Sequence, residues 1–276
     1  MFRINVIDSD VLKYKCAHIA DVQTRWPNGV WTWHGTEPRA LLALDKEIRK
    51  IEDTVQADLY IHIVSDAVLF RGNFFPDYKA NRKAQKPVMT TFLGEYLLNE
   101  MSALQMQGLE ADDLIGILMT MPRDVLIDFL NLDIEDEIEV ILSTIDKDLN
   151  TIPGLHHNLT SREIYTVSEA DANAMLTKQI LTGDRVDNIP GIKGFAFPKD
   201  DAKTKNKLEK TLAKFPILLE EFETKDWWDA IVGVYRSEGL SERDALVTAE
   251  LVKILTFKEW NVKSKVYKRW KPYDGY

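Results

Sequence analysis

Apolar residues are spaced along the first half of the chain in a way that predicts strands separated by helices. An amphipathic helix is predicted by residues that recur every three to four positions, namely Leu41, Leu44, Ile48, Ile51 and Val55. Buried strands are predicted by three short runs rich in β-branched residues, at 3–8 (RINVID), 59–65 (LYIHIVS) and 138–144 (IEVILST). This alternation predicts an α/β fold with a mainly parallel central sheet flanked by helices.

Helical spacing replaces this alternation from residue 168 onwards. Ser168 is a suitable N-cap, and Gly183 a suitable C-terminal residue, for a helix over 169–182. A further helix is predicted in 241–257, which begins with Ser-x-x-Asp, a relative of the capping box. We therefore expect an α/β domain over 1–167 and a helical region over 168–276.

We expect the tryptophans and histidines of the chain to have structural roles and not catalytic ones. Trp227 and Trp228 predict a helical core. Segment 26–33 (WPNGVWTW) predicts a turn at Pro-Asn-Gly followed by a short strand. We expect its tryptophans to pack in the core or within a hairpin, in preference to forming a platform for nucleic-acid bases. Because His156 and His157 are adjacent and point apart on a strand, we expect both at the surface.

Composition is that of an ordinary soluble protein, with 45% hydrophobic and 29% charged residues. The chain has no run of about 18 apolar residues and no signal-peptide pattern, so we expect no membrane span and a cytoplasmic location. Cys16 is the only cysteine, which excludes an intrachain disulfide and favours a reducing compartment. The net charge of −9 argues against a uniformly basic nucleic-acid-binding surface. Positive charge is nevertheless concentrated in 71–86 and 253–271.

Acidic residues recur at predicted strand ends and turns. Any one of these acids alone could be explained as a helix cap or a turn residue. The acids of 110–113 would also interact favourably with the positive end of a helix dipole. The carboxyl ends of parallel strands, however, share one edge of a sheet, where ligands bind. The acids expected to gather there are Asp8, Asp66, Glu110, Asp112, Asp113, Asp146, Asp148, Asp184 and Asp187.

Such a gathering of carboxylates predicts divalent cations. Two carboxylates about 4 Å apart repel by roughly 4 kcal/mol at an effective dielectric constant near 20. Convergence therefore requires protonation or bound cations. Oxygen ligands suit Mg²⁺, and the lack of thiolate and imidazole clusters disfavours zinc. A two-metal carboxylate site is suited to hydrolysis of phosphodiester bonds.

A different hydrolase is suggested by residues 4–12 (INVIDSDVL), which resemble the Asp-x-Asp start of haloacid-dehalogenase phosphatases. Asp8 would then be a nucleophile and Asp10 a general acid. This short motif gives no role to the basic segment 71–86, so we favour it less.

Four motifs, in order over residues 1–195, resemble the flap endonuclease and polymerase-associated 5′-nuclease superfamily. Residues 74–88 (FFPDYKANRKAQKPV) resemble its Tyr-Lys-x-Asn-Arg segment, and 109–116 (LEADDLIG) its Glu-x-Asp-Asp helix. Residues 143–149 (STIDKDL) resemble its Ser-x-Asp-Lys-Asp-Leu loop, and 182–194 (TGDRVDNIPGIKG) its helix–hairpin–helix entry. The C-terminal segment 254–272 and the lysine-rich segment 81–88 (NRKAQKPV) add a resemblance to the 5′→3′ exonucleases of short-tailed bacteriophages.

This resemblance implies a PIN/5′-nuclease-like fold with a helical arch near 71–107 and a helix–hairpin–helix near 176–214. It implies two Mg²⁺ ions, with Mn²⁺ as a substitute, and a K⁺ ion at the helix–hairpin–helix. One metal site would comprise Asp8, Asp66, Glu110 and Asp112, and the other Asp146, Asp148, Asp184 and Asp187, with Asp113 between them.

The implied catalytic residues are Lys79 and Arg82 on the scissile phosphate, Lys15, and Tyr78, which would either stack on the terminal base or pack beneath the arch. Further DNA contacts are implied for Arg71, Lys83, Lys86, Gly191, Ile192, Lys193 and Gly194. The chain departs from the family at Ser9 (usually Gly), at Lys15 (often Arg), at Ile145, and after Gly194, where the usual Gly-x-Lys-Thr-Ala helix start is missing.

The function that the resemblance implies is metal-dependent 5′→3′ exonuclease activity on duplex DNA, with release of 5′-phosphate nucleotides. RNA–DNA hybrids and 5′ flaps are further expected substrates. The implied setting is phage DNA replication, primer removal and DNA degradation in the host cytoplasm, by a monomer that works beside replication proteins. The alternatives are an inactive or structure-specific nucleic-acid-binding protein on the same fold, a PIN-class ribonuclease, and the phosphatase.

Overall fold

The structure is a computed structural model that describes residues 1–82, 85–192, 210, 222–261, 263–264 and 266–276. It divides into two compact units. Unit 1 comprises Met1–Leu69, Ala84–Leu149 and Gly154–Thr166, and unit 2 comprises Phe70–Lys83, Asn150–Pro153 and Val167–Tyr276. The boundary expected after residue 167 stays a prediction, and Phe70–Lys83 is grouped with the later residues.

Strands and helices alternate through unit 1, and helices dominate unit 2. The strands are β1 (Phe2–Asp8), β2 (Val22–Arg25), β3 (Trp31–His34), β4 (Leu59–Ile63), β5 (Ile138–Thr144), β6 (Gly154–Asn158), β7 (Ile164–Val167), β8 (Trp260–Asn261) and β9 (Val266–Tyr267). The α-helices are α1 (Ser9–Ala20), α2 (Glu37–Val55), α3 (Arg71–Phe74), α4 (Thr90–Asn99), α5 (Ala111–Thr120), α6 (Arg123–Leu130), α7 (Glu169–Thr182), α8 (Lys225–Ser237) and α9 (Glu242–Val252).

The central sheet has five strands in the order β4-β1-β5-β6-β7. Strand β1 pairs in parallel with both β4 and β5, and β5 pairs in parallel with β6. The apolar runs that predicted strands form β1, β4 and β5, three neighbouring strands of this sheet. Residues buried on both faces of a sheet need not alternate with polar ones. The mainly parallel α/β fold is therefore confirmed.

Helices α1, α2 and α4 share one hydrophobic core with the sheet. In α2 the predicted apolar stripe is present, with Leu44, Ile51 and Val55 buried. Leu93 and Leu97 of α4 are fully buried in the same core. Helix α4 lies within the segment expected to form an arch, but it is a core helix. The described residues between 75 and 89 form turns and irregular backbone, so the helical arch stays a prediction.

The core of unit 2 is formed by α7, α8 and α9. Trp227 and Trp228 are fully buried there, which confirms the predicted helical core. Ser168 caps α7 and Gly183 ends it, as predicted. The second half of the expected helix–hairpin–helix lies outside the described residues, so that element is not confirmed.

One expectation about exposure, that of the paired histidines, is wrong. His156 and His157 on β6 are buried, and His157 Nδ1 lies 2.9 Å from the Ser143 hydroxyl. Trp31 and Trp33 lie on β3 and stack on each other in a hairpin with β2, which is one of the two placements expected for them. Both are exposed. None of the described helices combines the length and apolar composition needed to cross a membrane.

Candidate active site

Asp8 ends β1, and its carboxylate is held by donors from two elements. The hydroxyl of Thr144, the last residue of β5, donates to Asp8 Oδ2 at 2.8 Å. The N–H of Val11 donates to Asp8 Oδ1 at 3.2 Å, which makes Asp8 the N-cap of α1. The side chain is buried, with 1% exposure. Both donors are uncharged, so hydrogen bonds hold this carboxylate without neutralising it.

Thr144 also connects Asp8 with the acids that follow β5. The Asp146 N–H donates to Thr144 Oγ1 at 2.9 Å, and the Asp148 N–H donates to Asp146 Oδ1 at 2.9 Å. The loop is thereby folded back at the end of its strand. Since β1 and β5 are adjacent and parallel, the acids that follow them meet at one edge of the sheet.

Burial raises the pKa of Asp8 to about 7. The hydrogen bonds from Thr144 and Val11 lower the pKa in part, whereas the negative charges of Asp10 and Asp146 raise it further. A carboxylate that is disfavoured in this way is stabilised by a cation placed beside it.

Asp66, which follows β4, anchors the turn that leads into α5. Its Oδ2 accepts the Gly108 N–H at 2.7 Å, and its own N–H donates to Leu109 O at 3.0 Å. Gly108 has φ +80°, a conformation that favours glycine. The neighbouring Ser65 accepts the Ala111 N–H at 2.8 Å. These contacts fix the start of α5 against the end of β4.

The acids at the start of α5 have a structural role. Glu110 and Asp113 form a capping box, in which each side chain accepts the backbone N–H of the other residue. Both are buried, whereas Asp112 is partly exposed. The helix-start interpretation of this acidic cluster is confirmed at Glu110 and Asp113. Because a carboxylate has several acceptor positions, a capping role does not exclude metal binding.

Asp184 lies in unit 2, in the loop after α7. Its Oδ1 accepts the Val186 N–H at 2.6 Å, and its backbone forms an antiparallel bridge with Ile189. Burial raises the pKa of Asp184, and the charge of Asp187 adds to this effect. The Val186 hydrogen bond and the Arg82 charge act in the opposite direction.

Two glycines allow this loop to close tightly. Gly183 has φ +63°, and a Cβ at Gly191 would lie 2.1 Å from the carbonyl carbon of Thr182. Ile192 is fully buried, and its N–H donates to Leu181 O at 2.9 Å. The glycines are therefore required by the loop itself. A DNA contact through the Ile192 side chain would require that side chain to be at the surface, but it is buried.

Asp187 pairs with both cations that were expected to contact the scissile phosphate. Arg82 forms an ion pair with Asp187 Oδ1, and Lys79 Nζ lies 3.5 Å from Oδ2. The Lys79 N–H also donates to Asp187 O at 2.9 Å, although Lys79 has a positive φ of 58°. A predicted metal ligand and two predicted phosphate contacts thus neutralise one another.

Two asparagines reinforce this arrangement. The Asn81 side chain donates to Arg185 O at 2.8 Å, and the Asn188 side chain donates to Asp77 O at 2.8 Å. Reciprocal amide contacts of this kind dock segment 77–82 on loop 184–188. Sequence analysis did not select either asparagine.

Tyr78 and Lys15 contact protein groups. Tyr78 packs against the core of unit 2, with Lys79 Nζ 4.9 Å from its ring centroid. Of the two roles considered for Tyr78, packing is the one that the structure contains. Lys15 Nζ lies 2.8 Å from Glu47 Oε2, on α2. Lys86 is exposed.

Arg71 differs from the other residues expected to bind DNA. It is buried, and it donates to Leu251 O at 3.0 Å and to Lys253 O at 2.7 Å. A guanidinium directed at backbone carbonyls inside unit 2 is a structural group. The expected DNA contacts Lys83, Lys193 and Gly194 lie outside the described residues.

Sequence analysis missed the hydroxyl groups that position the acids. Ser65 precedes Asp66 by one residue, and Thr144 precedes Asp146 by two. A hydroxyl just before an acid at a strand end could have been recognised as a signal, because serine and threonine bond nearby backbone in turns.

Across the described residues, no group of three or more His, Cys, Asp or Glu side chains is arranged so that it could hold a metal ion. The nine-carboxylate pocket therefore stays a prediction. What the structure brings together is Asp8 with Asp146 and Asp148, and Asp66 with the turn before Glu110. The donor set is all oxygen, as a hard divalent cation requires.

Comparison with known proteins gives relatives over almost the whole chain. No protein-family model matches. The chain is 26% identical to the exonuclease of Escherichia phage T7 over 294 residues, which cover 98% of this chain and 93% of that protein. It is 25% identical to the exodeoxyribonuclease of Enterobacteria phage T3, with 98% and 93% covered.

The fold is similar to that of a solved protein. The crystal structure of the T5 D15 protein, co-crystallised with metal ions, superposes with a TM-score of 0.53 at 18% identity, over 90% of this chain and 89% of that one. The resemblance to the 5′-nuclease superfamily, first recognised in four short motifs, is thereby confirmed by relatives of matching length and by a shared fold.

Proposed function

We propose that this protein is a metal-dependent 5′→3′ exonuclease that hydrolyses phosphodiester bonds in duplex DNA and releases 5′-phosphate nucleotides. The observation that carries the proposal is the hydrogen-bonded series Asp8–Thr144–Asp146–Asp148 at the carboxyl edge of the parallel sheet. The names of the phage T7 and T3 relatives support the same activity.

Mg²⁺ is the cation that we propose for these carboxylates. Mg²⁺ keeps several water ligands and is commonly bound by one or two protein carboxylates together with substrate phosphates. One or two carboxylates from the protein are therefore a sufficient donor set. Bound divalent ions would supply an activated water and stabilise the charge on the phosphate and the leaving oxygen. Mn²⁺ is the expected substitute.

Lys79 and Arg82 are the proposed phosphate contacts. The guanidinium of Arg82 matches two phosphate oxygens, and Lys79 supplies a point charge. Both now pair with Asp187, so a phosphate group would take the place of that carboxylate as their anionic partner. Asp184 and Asp187 would then be able to act as metal ligands.

The proposed substrates are duplex DNA with a 5′ end and, beyond it, RNA–DNA hybrids and 5′ flaps. Contacts through phosphates and backbone N–H groups are independent of sequence, which suits an enzyme that degrades DNA or removes primers. We propose a role in phage DNA replication in the host cytoplasm, as a monomer beside replication proteins, with K⁺ at the helix–hairpin–helix.

The test is cleavage of a 5′-labelled duplex. We expect digestion with Mg²⁺, none in chelator, and a loss of at least about 100-fold in Asp146→Asn and Asp148→Asn protein while DNA binding persists. Asp45→Asn is a matched control, because Asp45 pairs with Arg49 on the exposed face of α2. Equal cleavage by Asp146→Asn and wild-type protein would contradict the proposal.

The alternatives make different predictions in the same assay. Binding without cleavage across several divalent metals would indicate a nucleic-acid-binding protein, and preference for RNA duplexes a PIN-class ribonuclease. A phosphatase would need Asp10 as a general acid. Asp10 is already held by Lys13 Nζ at 2.6 Å and by the Ser65 N–H at 3.3 Å, so we expect Asp10→Asn to retain nuclease activity.

A further inference from the structure

The seven tryptophans of the chain fall into two groups by exposure. Trp227, Trp228, Trp260 and Trp270 are at most 7% exposed. Trp26, Trp31 and Trp33 are 50%, 47% and 40% exposed, and all three lie in the β2–β3 hairpin. Exposure of large aromatic rings has a cost in water, and a cluster of them marks a binding surface.

The hairpin register places two of these rings on one face with two polar side chains. Trp33 lies opposite Gln23, and Trp31 lies opposite Arg25. Directly opposed residues of an antiparallel pair share a face, and residues two apart on one strand also share it. All four side chains are exposed. We call this set the tryptophan face.

The rings are spaced as a stacking platform. The centroids of Trp31 and Trp33 are 6.5 Å apart and their planes differ by 26°. This is close to twice the rise of about 3.4 Å per base in a nucleic-acid strand. Arg25 lies over the Trp31 ring at 5.7 Å from its centroid, where a guanidinium can also reach phosphate.

Charge favours an anionic occupant. Between Asp21 and Glu37 the chain has no acidic residue, although its net charge is −9. At the base of the hairpin, Asp21 accepts the Val88 N–H at 3.2 Å. This contact places Val88, two residues after the exposed Lys86, beside the residue that precedes β2.

We propose that the tryptophan face binds unpaired bases of single-stranded DNA. Two aromatic rings, an arginine and an amide form the combination that binds single strands without sequence preference, since every base has a stacking face. The inference rests on the proposed function for its biological meaning, which is to hold an unpaired segment next to the duplex being degraded.

Binding is measured in chelator, so that no cleavage occurs. With a fluorescently labelled oligothymidine, we expect Trp31→Ala/Trp33→Ala protein to bind about 10-fold or more weakly than wild type. Trp31→Phe/Trp33→Phe should bind within about threefold of wild type, because phenylalanine also stacks. The oligonucleotide should quench part of the wild-type tryptophan fluorescence, and less in the phenylalanine variant.

The hairpin provides a matched control. Trp26 is equally exposed, but its indole N–H donates to Thr32, which lies on the opposite face. Trp26→Phe should therefore leave single-strand binding unchanged. If the alanine variant does not fold, the loss of quenching in the phenylalanine variant still decides the question.

Two results would overturn the proposal. One is equal oligonucleotide affinity in wild-type and Trp31→Ala/Trp33→Ala protein, and the other is wild-type binding without quenching. Concentration-dependent self-association that the alanine variant loses would instead assign the tryptophan face to a second copy of the chain. Retained cleavage of blunt duplex by the same variant would leave the proposed nuclease function intact in each case.

Discussion

The acids at the edge of the sheet and the acids of loop 184–188 are held in different ways. Asp8 and Asp146 accept hydrogen bonds from a hydroxyl and from backbone N–H groups. Asp187 pairs with Lys79 and Arg82. Uncharged donors thus hold the sheet-edge carboxylates, whereas two cationic side chains partly neutralise the loop carboxylate within the protein.

Acids that have similar sequence contexts can therefore have different electrostatic environments in the folded protein. Uncharged donors orient a carboxylate but do not compensate its negative charge. A cationic side chain in an ion pair does compensate that charge. We therefore expect the carboxylates at the sheet edge to bind divalent metal ions. In loop 184–188, we expect a DNA phosphate to compete with Asp187 for Lys79 and Arg82.

The largest effect is expected for Arg71, a cation of unit 2 whose partners are carbonyls. Arg71→Ala removes two hydrogen bonds from buried acceptors and should lower the free energy of unfolding by about 2–4 kcal/mol. Urea denaturation measures the change. Arg82→Ala, which breaks an exposed ion pair, should cost less than about 1 kcal/mol and serves as the control. A stable Arg71→Ala protein with weakened DNA binding would make Arg71 a surface contact.

The pH dependence of stability tests the sheet edge. The pKa of Asp8 is raised from 3.8 to about 7 by burial, so the folded protein binds a proton that the unfolded chain has lost. Stability from this group is therefore present at low pH, and it falls as pH rises between these two values.

Asp8→Asn should remove that dependence and, in chelator at pH 8, raise the free energy of unfolding by about 1–3 kcal/mol. Thermal unfolding at pH 5 and pH 8 measures the difference between variant and wild type. Mg²⁺ should stabilise wild-type protein more than the variant. An identical pH dependence in both proteins would contradict the environment assigned to Asp8.

A substitution in loop 184–188 should change the affinity of the protein for duplex DNA. Asp187→Asn removes the negative charge that pairs with Lys79 and Arg82, so duplex binding in chelator should become about 3–10-fold tighter at low salt. The slope of log affinity against log salt should steepen by about one. Fluorescence anisotropy across salt concentrations measures both. Asp45→Asn removes the same charge elsewhere, and an equal gain in that variant would reduce the effect to net charge.

The smallest effect is expected for Lys15. Lys15→Met breaks the pair with Glu47, but Glu47 keeps a contact with Lys50 at 2.6 Å. The free energy of unfolding should fall by roughly 0.5 kcal/mol, as measured by urea denaturation. A loss of cleavage greater than about tenfold at unchanged stability would assign Lys15 the phosphate contact that the family resemblance implies.

Much of the fold was predictable because its signals are local. The runs at 3–8, 59–65 and 138–144 became β1, β4 and β5, and Ser168 and Gly183 bound α7. Burial was less predictable. His156 and Arg71 are buried although they were expected at the surface, because periodicity does not tell which surfaces another segment covers.

By itself, the sequence determined the strands, the caps and the acids that follow them, since each depends on residues within a few positions. Only the tertiary structure decided which partner each carboxylate has. Thr144 reaches Asp8 across 136 positions of the chain, and Arg82 reaches Asp187 across 105. Contacts over such separations depend on packing of the whole chain, and no local pattern encodes whether an acid will meet a hydroxyl or a cation.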